Sequence, residues 1–178
     1  MRDEAVSRVR TVFSLFDVDG NGVLEPVDFA LMADRVVAAA PRSPVADRDA
    51  MRAAFQRYWT TLAAALDADG DGRIDFAEYS ACVLSPERFD ETIAEFARAL
   101  TALGDPDGQG LVGRAEFVAL MIAIGFRRSG IDALFDAFGP SADDRIPAAT
   151  WEAGIREYYA PDKADIPGDH LVVDGTSA

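Results

Sequence analysis

The sequence has a single cysteine and a single histidine, and no apolar stretch approaches the about 20 residues that a membrane-spanning helix needs. One cysteine, Cys82, excludes an internal disulfide and any cysteine-rich zinc motif, so nothing indicates an oxidising compartment. His170 lies in the tail without the convergent partners that metal binding or catalysis would need. No Ser-His-Asp set and no glycine-rich phosphate loop is present, so we expect no enzyme activity.

Basic residues are also scarce. The chain has 17 Lys and Arg against 31 Asp and Glu, which gives a net charge of −14. This charge argues against nucleic acid and against anionic membrane surfaces as partners, and it is compatible with binding cations. The first residues, MRDEAVSRVRTVF, carry charges where a signal peptide would need an apolar run. We therefore expect a soluble cytoplasmic protein, and an apolar content of 49% predicts that it is globular.

What the sequence does contain is a repeated loop. Residues 17–28 (loop one) read DVDGNGVLEPVD, and residues 67–78 (loop two) read DADGDGRIDFAE. Residues 105–116 (loop three) read DPDGQGLVGRAE, and a weaker copy, GPSADDRIPAAT, occupies residues 139–150 (loop four). Apolar residues recur at helical spacing on both sides of each copy, so the unit is a helix–loop–helix that occurs four times.

The spacing of oxygen-bearing residues in these loops is that of a calcium site. Calcium takes six to eight oxygen ligands, and a twelve-residue loop supplies them from positions 1, 3, 5, 7, 9 and 12, with the backbone carbonyl at position 7 and a glycine at position 6. The predicted ligands are Asp17, Asp19, Asn21, Val23, Glu25 and Asp28 in loop one; Asp67, Asp69, Asp71, Arg73, Asp75 and Glu78 in loop two; and Asp105, Asp107, Gln109, Leu111 and Glu116 in loop three.

The four loops differ in how well they meet the pattern. Asp28 ends loop one where Glu is usual, and it can offer one oxygen or two; with one oxygen the site comes nearer to the octahedral preference of magnesium, a possible competitor there. In loop three Gln109 is longer than the usual ligand, and Gly113 leaves position 9 to water, so we expect weaker binding. Loop four keeps one ligating carboxylate, Asp143, so we expect a structural partner of loop three that holds no metal.

The helical segments predict an all-α fold with two paired helix–loop–helix lobes in one compact body, with lobe limits at 1–84 and 85–178. The apolar residue at position 8 of each loop should form a short antiparallel bridge to its partner, which pairs Leu24 with Ile74 and Val112 with Ile146. Pro86 excludes one long helix between the lobes, so they should pack together. Ser43 and Pro44 predict the cap and first turn of the long third helix.

With these motifs the sequence resembles the four-EF-hand proteins. More narrowly, it resembles the invertebrate sarcoplasmic calcium-binding proteins and bacterial calerythrin. The similarity lies in a first loop that ends in Asp, in the long interval before loop two, and in the tail PDKADIPGDHLVVDG, and it extends over nearly the whole chain. The resemblance implies compact lobes and intracellular calcium buffering or signalling rather than catalysis.

Two functions follow from this resemblance. A calcium buffer keeps its apolar faces inside, whereas a calcium sensor opens and offers a groove, often rich in methionine, to a target protein. The chain has four methionines, one of them the initiator, and its apolar residues are mainly Phe, Trp, Leu and Val. This composition favours the buffer. We also expect the protein to be a monomer and Cys82 to be a small core residue.

Overall fold

The computed structural model describes residues 2–66 and 72–172. Its helices and strands follow the predicted helix–loop–helix order. They are α1 (Asp3–Phe16), α2 (Pro26–Ala38), α3 (Val45–Leu66), α4 (Phe76–Val83), α5 (Pro86–Leu103), β1 (Leu111–Gly113), α6 (Arg114–Ile124), α7 (Arg128–Ala137), β2 (Arg145–Pro147), α8 (Ala148–Tyr158) and a 3₁₀ helix (Pro167–Leu171). The all-α fold class is confirmed.

Local sequence sets the ends of several helices. Pro26 and Pro86 each occupy the first residue of a helix, where the missing N–H has no helical partner in any case. The predicted cap of α3 is wrong. The Ser43 hydroxyl donates instead to the carbonyl oxygen of Leu103 at 2.9 Å, so it satisfies one of the unpaired carbonyls at the end of α5.

The loops pair through the residues predicted from position 8. Leu24 and Ile74 exchange two backbone hydrogen bonds of 2.8 and 3.1 Å, and Val112 faces Ile146 in the antiparallel ribbon of β1 and β2. All four side chains are fully buried. Loop one is thus held against loop two, and loop three against loop four, by a short backbone bridge beneath the predicted ligands.

A single buried apolar cluster includes residues from α1 through α8. Within this cluster the Tyr58 ring of α3 contacts four phenylalanine rings at centroid distances of 4.7–5.7 Å: Phe16, Phe29, Phe89 and Phe96. Helices α3 and α5 pack against each other, as do α5 and α8. The two halves therefore share one core, and the lobe limits at residue 84 stay a prediction.

The C-terminal segment is fastened to α1 by a fully buried arginine. Arg8 donates to the carbonyl oxygens of Tyr158, Ala160 and Lys163 at 2.8–3.1 Å and forms a 2.8 Å ion pair with Asp169. The Tyr158 hydroxyl returns a hydrogen bond to the Arg8 carbonyl. Within the described ranges, no helix combines the length and the apolar character needed to cross a membrane.

Candidate metal-binding loops

Loop one has its first ligand positions arranged around turns of the backbone. The Asp17 carboxylate accepts from the backbone nitrogens of Asn21 and Gly22 at 3.0 and 2.8 Å, and Asp19 accepts from Asn21 at 3.1 Å. Gly22 supplies the left-handed conformation at position 6, with φ +86°. The Asn21 side-chain oxygen accepts from Val23 at 3.0 Å. These bonds curl the loop so that its oxygen atoms face a common centre.

The shorter Asp28 does reach this centre. Ligand atoms of Asp17, Asp19 and Asp28 lie within 4.8 Å of one another, and this is the one such acidic cluster among the residues that the structure describes. Asp28 is 2% exposed and accepts from the backbone nitrogens of Val18 and Glu25 at 3.1 and 2.9 Å. Its burial, with the neighbouring charges of Asp17 and Asp19, raises the pKa of the Asp28 carboxyl. A hard divalent cation fits this set of oxygen donors and would relieve the repulsion among them.

The strongest loop by sequence, loop two, is only partly described. Asp67, Asp69 and Asp71 lie outside the described residues. At the end of the loop, Asp75 and Glu78 form a reciprocal capping box, in which each carboxylate accepts from the backbone nitrogen of the other residue at 2.9 Å. Arg73 extends toward loop one, and its Nε lies 3.3 Å from the Glu25 carboxylate.

Loop three repeats the first turn of loop one. Asp105 accepts from the backbone nitrogens of Gln109 and Gly110 at 3.0 and 2.6 Å, as Asp17 does in loop one. Two of its other predicted ligands, at positions 5 and 12, contact arginine side chains. The Gln109 side-chain oxygen accepts from Arg145 at 3.3 Å, and Glu116 is paired with Arg42. Loop three therefore has the backbone of a cation site, and its role as one stays a prediction.

Loop four is held by an arginine from loop three. Asp144 occupies the glycine position with φ +57°, and its carboxylate accepts from the Nε and Nη2 atoms of Arg114 at 2.8–3.0 Å. The same guanidinium group contacts Asp136 at 2.6 Å and lies 4.4 Å from the centroid of the Phe135 ring. This pairing lowers the pKa of the Asp144 carboxyl. Arg114 therefore keeps loop four in place through its own positive charge.

Sequence reasoning did not find these arginines. Arg42, Arg114 and Arg145 meet the partners described above 22 to 74 residues away along the chain. The calcium-loop pattern gives no signal for these side chains. Arg145 is at position 7 of loop four, but the pattern uses only the backbone carbonyl at that position. The charge imbalance of the chain makes a carboxylate partner available to almost any arginine.

Comparison with known proteins agrees with this geometry. Residues 64–84, which span loop two, match the family model described as EF hand. A calcium-binding protein of Streptomyces coelicolor, whose structure concerns calcium-mediated regulation in prokaryotes, is 25% identical; the alignment covers 85% of this chain and 97% of that one, with a TM-score of 0.69.

Two further solved structures share the fold at lower identity. The sarcoplasmic calcium-binding protein of amphioxus is 17% identical over 97% of both chains, with a TM-score of 0.69. The Ca²⁺-regulated photoprotein mitrocomin of the jellyfish Mitrocoma cellularia is 14% identical, with 96% of this chain and 91% of that one covered and a TM-score of 0.73.

Proposed function

We propose that this chain, which is a calcium-binding EF-hand protein resembling the sarcoplasmic calcium-binding proteins, acts as a calcium buffer that holds calcium in loops one to three. In this proposal it is a cytoplasmic, non-catalytic monomer that keeps its apolar faces inside as the loops fill. Loop four carries no ion and serves as the structural partner of loop three.

The continuous core is the observation that supports buffering most strongly. A sensor must expose an apolar groove on a helix pair at little energetic cost. In this protein the helices that follow loops one and two contribute Phe29 and Tyr79 to the shared core. The same core contains Phe89 and Trp151 from the other half of the chain. Tyr58 hydrogen-bonds both Tyr79 and Tyr159 inside this cluster. Opening one pair would therefore disturb the packing of both.

A sensor remains the second candidate, and one comparison favours it. The similar Streptomyces coelicolor protein is described in the context of calcium-mediated regulation. Val27, near the end of loop one, and Leu31, just after it, are also exposed one turn apart on α2. A sensor would enlarge such a surface when calcium binds and would offer it to a target protein.

The single cysteine gives a direct test of the two functions. Cys82 is fully buried on α4, and its burial raises the pKa of the thiol, so an aromatic disulfide reagent can modify it only after the core opens locally. We expect calcium to slow this modification in a buffer. The rate should be measured in millimolar magnesium with and without calcium, and the Cys82→Ser variant gives the background.

Faster modification of Cys82 in calcium would contradict buffering and support the sensor. Because the chain has one cysteine, the signal has one source. The number of bound ions should be measured on the same samples by isothermal titration, with Glu78→Gln and Glu116→Gln each expected to remove one ion from the count.

A further inference from the structure

The connection between α2 and α3, residues 39–44, lies against loop three. Ser43, buried at 5% exposure, donates to the Leu103 carbonyl at the end of the helix that enters the loop. One residue earlier, Arg42 forms an ion pair with Glu116, the predicted ligand at position 12. The 39–44 connection thus touches loop three at its entry and at its last ligand.

The glycine at position 9, Gly113, leaves room for the Glu116 carboxylate in this pairing. Its Oε1 atom faces the Arg42 guanidinium, while its Oε2 atom lies so close to Gly113 that a Cβ at residue 113 would be only 2.7 Å away. Any larger residue at position 9 would force the Glu116 side chain to move. Arg42 therefore pairs with Oε1, and Gly113 leaves the space that Oε2 occupies.

Calcium and Arg42 would compete for the same atoms. The glutamate at position 12 of such a loop binds calcium through both carboxylate oxygens. A guanidinium group paired with Oε1 offsets part of the negative charge that would attract calcium, and it competes with the ion for that oxygen. Asp105, in contrast, already accepts from Gln109 and Gly110 as its counterpart does in loop one, so the competition concerns the last ligand rather than the first.

We propose that Arg42 is an intramolecular competitor for Glu116 that lowers the calcium affinity of loop three. The inference rests on the proposed function, because it requires loop three to bind calcium. By linkage, calcium in loop three releases Arg42, and the pairing of Arg42 weakens calcium by the same factor. Loop three would then fill at a higher calcium concentration than it would without Arg42. The protein would therefore take up calcium over a wider range of calcium concentrations.

The solvent exposure of the Arg42–Glu116 pair sets how much it can change the calcium affinity of loop three. The Arg42 side chain is 73% exposed and that of Glu116 is 24% exposed, so water screens the pair. An exposed pair of this kind changes an equilibrium by about two- to fivefold. Removing the guanidinium should therefore tighten calcium binding at loop three by about two- to fivefold.

One tryptophan, Trp151, lies close enough to loop three to report on calcium binding there. Trp151 packs on Phe117, which directly follows Glu116, with ring centroids 4.7 Å apart, and it lies against Gly104 at the loop entry. The other tryptophan, Trp59, contacts Phe29 beside loop one. In a Trp59→Phe background, calcium titration of the emission therefore follows the loop three region.

The test compares Arg42→Gln with a matched control in this background. Arg52→Gln removes the same charge from an exposed arginine whose ion pairs, with Asp34 and Asp49, involve none of the loops. We expect the calcium midpoint of Trp151 emission to fall about two- to fivefold in Arg42→Gln, to stay unchanged in Arg52→Gln, and to lie between the two in Arg42→Lys.

Two results would overturn the inference: one excludes only the role of Arg42, and the other also excludes the third calcium site. Equal midpoints for Arg42→Gln and Arg52→Gln, with a filled third site, would exclude the competitor alone. If Trp151 emission does not respond to calcium and Glu116→Gln leaves the number of bound ions unchanged, loop three binds none, and the competitor fails together with the third site of the proposed function.

Discussion

The hydroxyl oxygens of Tyr58 and Tyr79 lie 2.7 Å apart in the core, on helices α3 and α4. Tyr58 donates to Tyr159 at 3.2 Å, so the proton of the shorter bond comes from Tyr79. Burial raises the pKa of Tyr58 and Tyr79 well above the usual value, and that of Tyr159 to about 12, so all three are neutral at physiological pH. The three hydroxyl groups connect the helix that leaves loop two to the end of α8.

Removing the Tyr58 hydroxyl should lower the free energy of unfolding more than removing the hydroxyl of Tyr79 or Tyr159. Tyr58→Phe removes two hydrogen bonds, the one with Tyr79 and the one with Tyr159, and we expect a loss of about 1–3 kcal/mol in the free energy of unfolding. Tyr79→Phe leaves the bond from Tyr58 to Tyr159 intact and should cost about 1 kcal/mol. Urea unfolding at fixed calcium measures both losses, and equal losses would contradict the central role of the Tyr58 hydroxyl.

The buried Arg8 should be among the most sensitive positions for stability. Arg8→Met removes the partner of Asp169 and of three carbonyl oxygens, and we expect a loss of about 2–4 kcal/mol. This value allows for the 30% exposure of the Asp169 side chain, which lets water replace part of the lost pairing.

The matched control for Arg8 is its neighbour on the outer face of the same helix. Arg10 is exposed and lies 3.8 Å over the Phe76 ring, so Arg10→Met should cost less than about 1 kcal/mol. Equilibrium unfolding monitored by circular dichroism compares the two variants. A small loss for Arg8→Met would mean that the C-terminal segment contributes little to the fold.

The residue at position 12 of loop one should set its selectivity between calcium and magnesium. Asp28→Asn removes a buried carboxylate that faces Asp17 and Asp19, and we expect calcium affinity at loop one to fall about tenfold or more. Asp28→Glu adds the methylene that allows two-oxygen binding, which should favour calcium over magnesium. Emission of Trp59 in a Trp151→Phe background, titrated with each ion, measures both; unchanged selectivity in Asp28→Glu would contradict this role.

Much of this structure could be predicted from the repeat. The pairs Leu24–Ile74 and Val112–Ile146 follow because position 8 must bury an apolar side chain between two loops, and helix ends follow from Pro26 and Pro86. Burial of Cys82 follows from the apolar run around it. These features depend on short-range spacing, which the sequence displays directly.

The features that sequence reasoning missed are long-range and polar. Ser43 has the sequence context of a helix cap, yet its hydroxyl bonds to a carbonyl 60 residues away, because the end of α5 leaves carbonyl groups without helical partners. The partner of Arg8 lies 161 residues away. Since an arginine can reach any of many carboxylates, only the packed fold selects one.

Loop four should depend on pH through Asp144. Arg114 lowers the pKa of the Asp144 carboxyl, so this pair stabilises the folded state above the ordinary Asp pKa, and the stabilisation is lost as the pH falls through the lowered value. Asp144→Asn removes the charge, and Asn tolerates the φ of +57° at this position. We expect the variant to be less stable than the parent at neutral pH and equally stable in strong acid, as thermal unfolding across pH would show.

The central claim, that the protein closes on its ions, is tested most directly by the fluorescence of a hydrophobic dye during a calcium titration in millimolar magnesium. The shared core predicts that dye fluorescence stays flat or falls as the loops fill, because calcium binding adds order without exposing apolar surface. A steep rise at submicromolar to micromolar calcium would contradict buffering and would show that calcium exposes an apolar surface for a target protein.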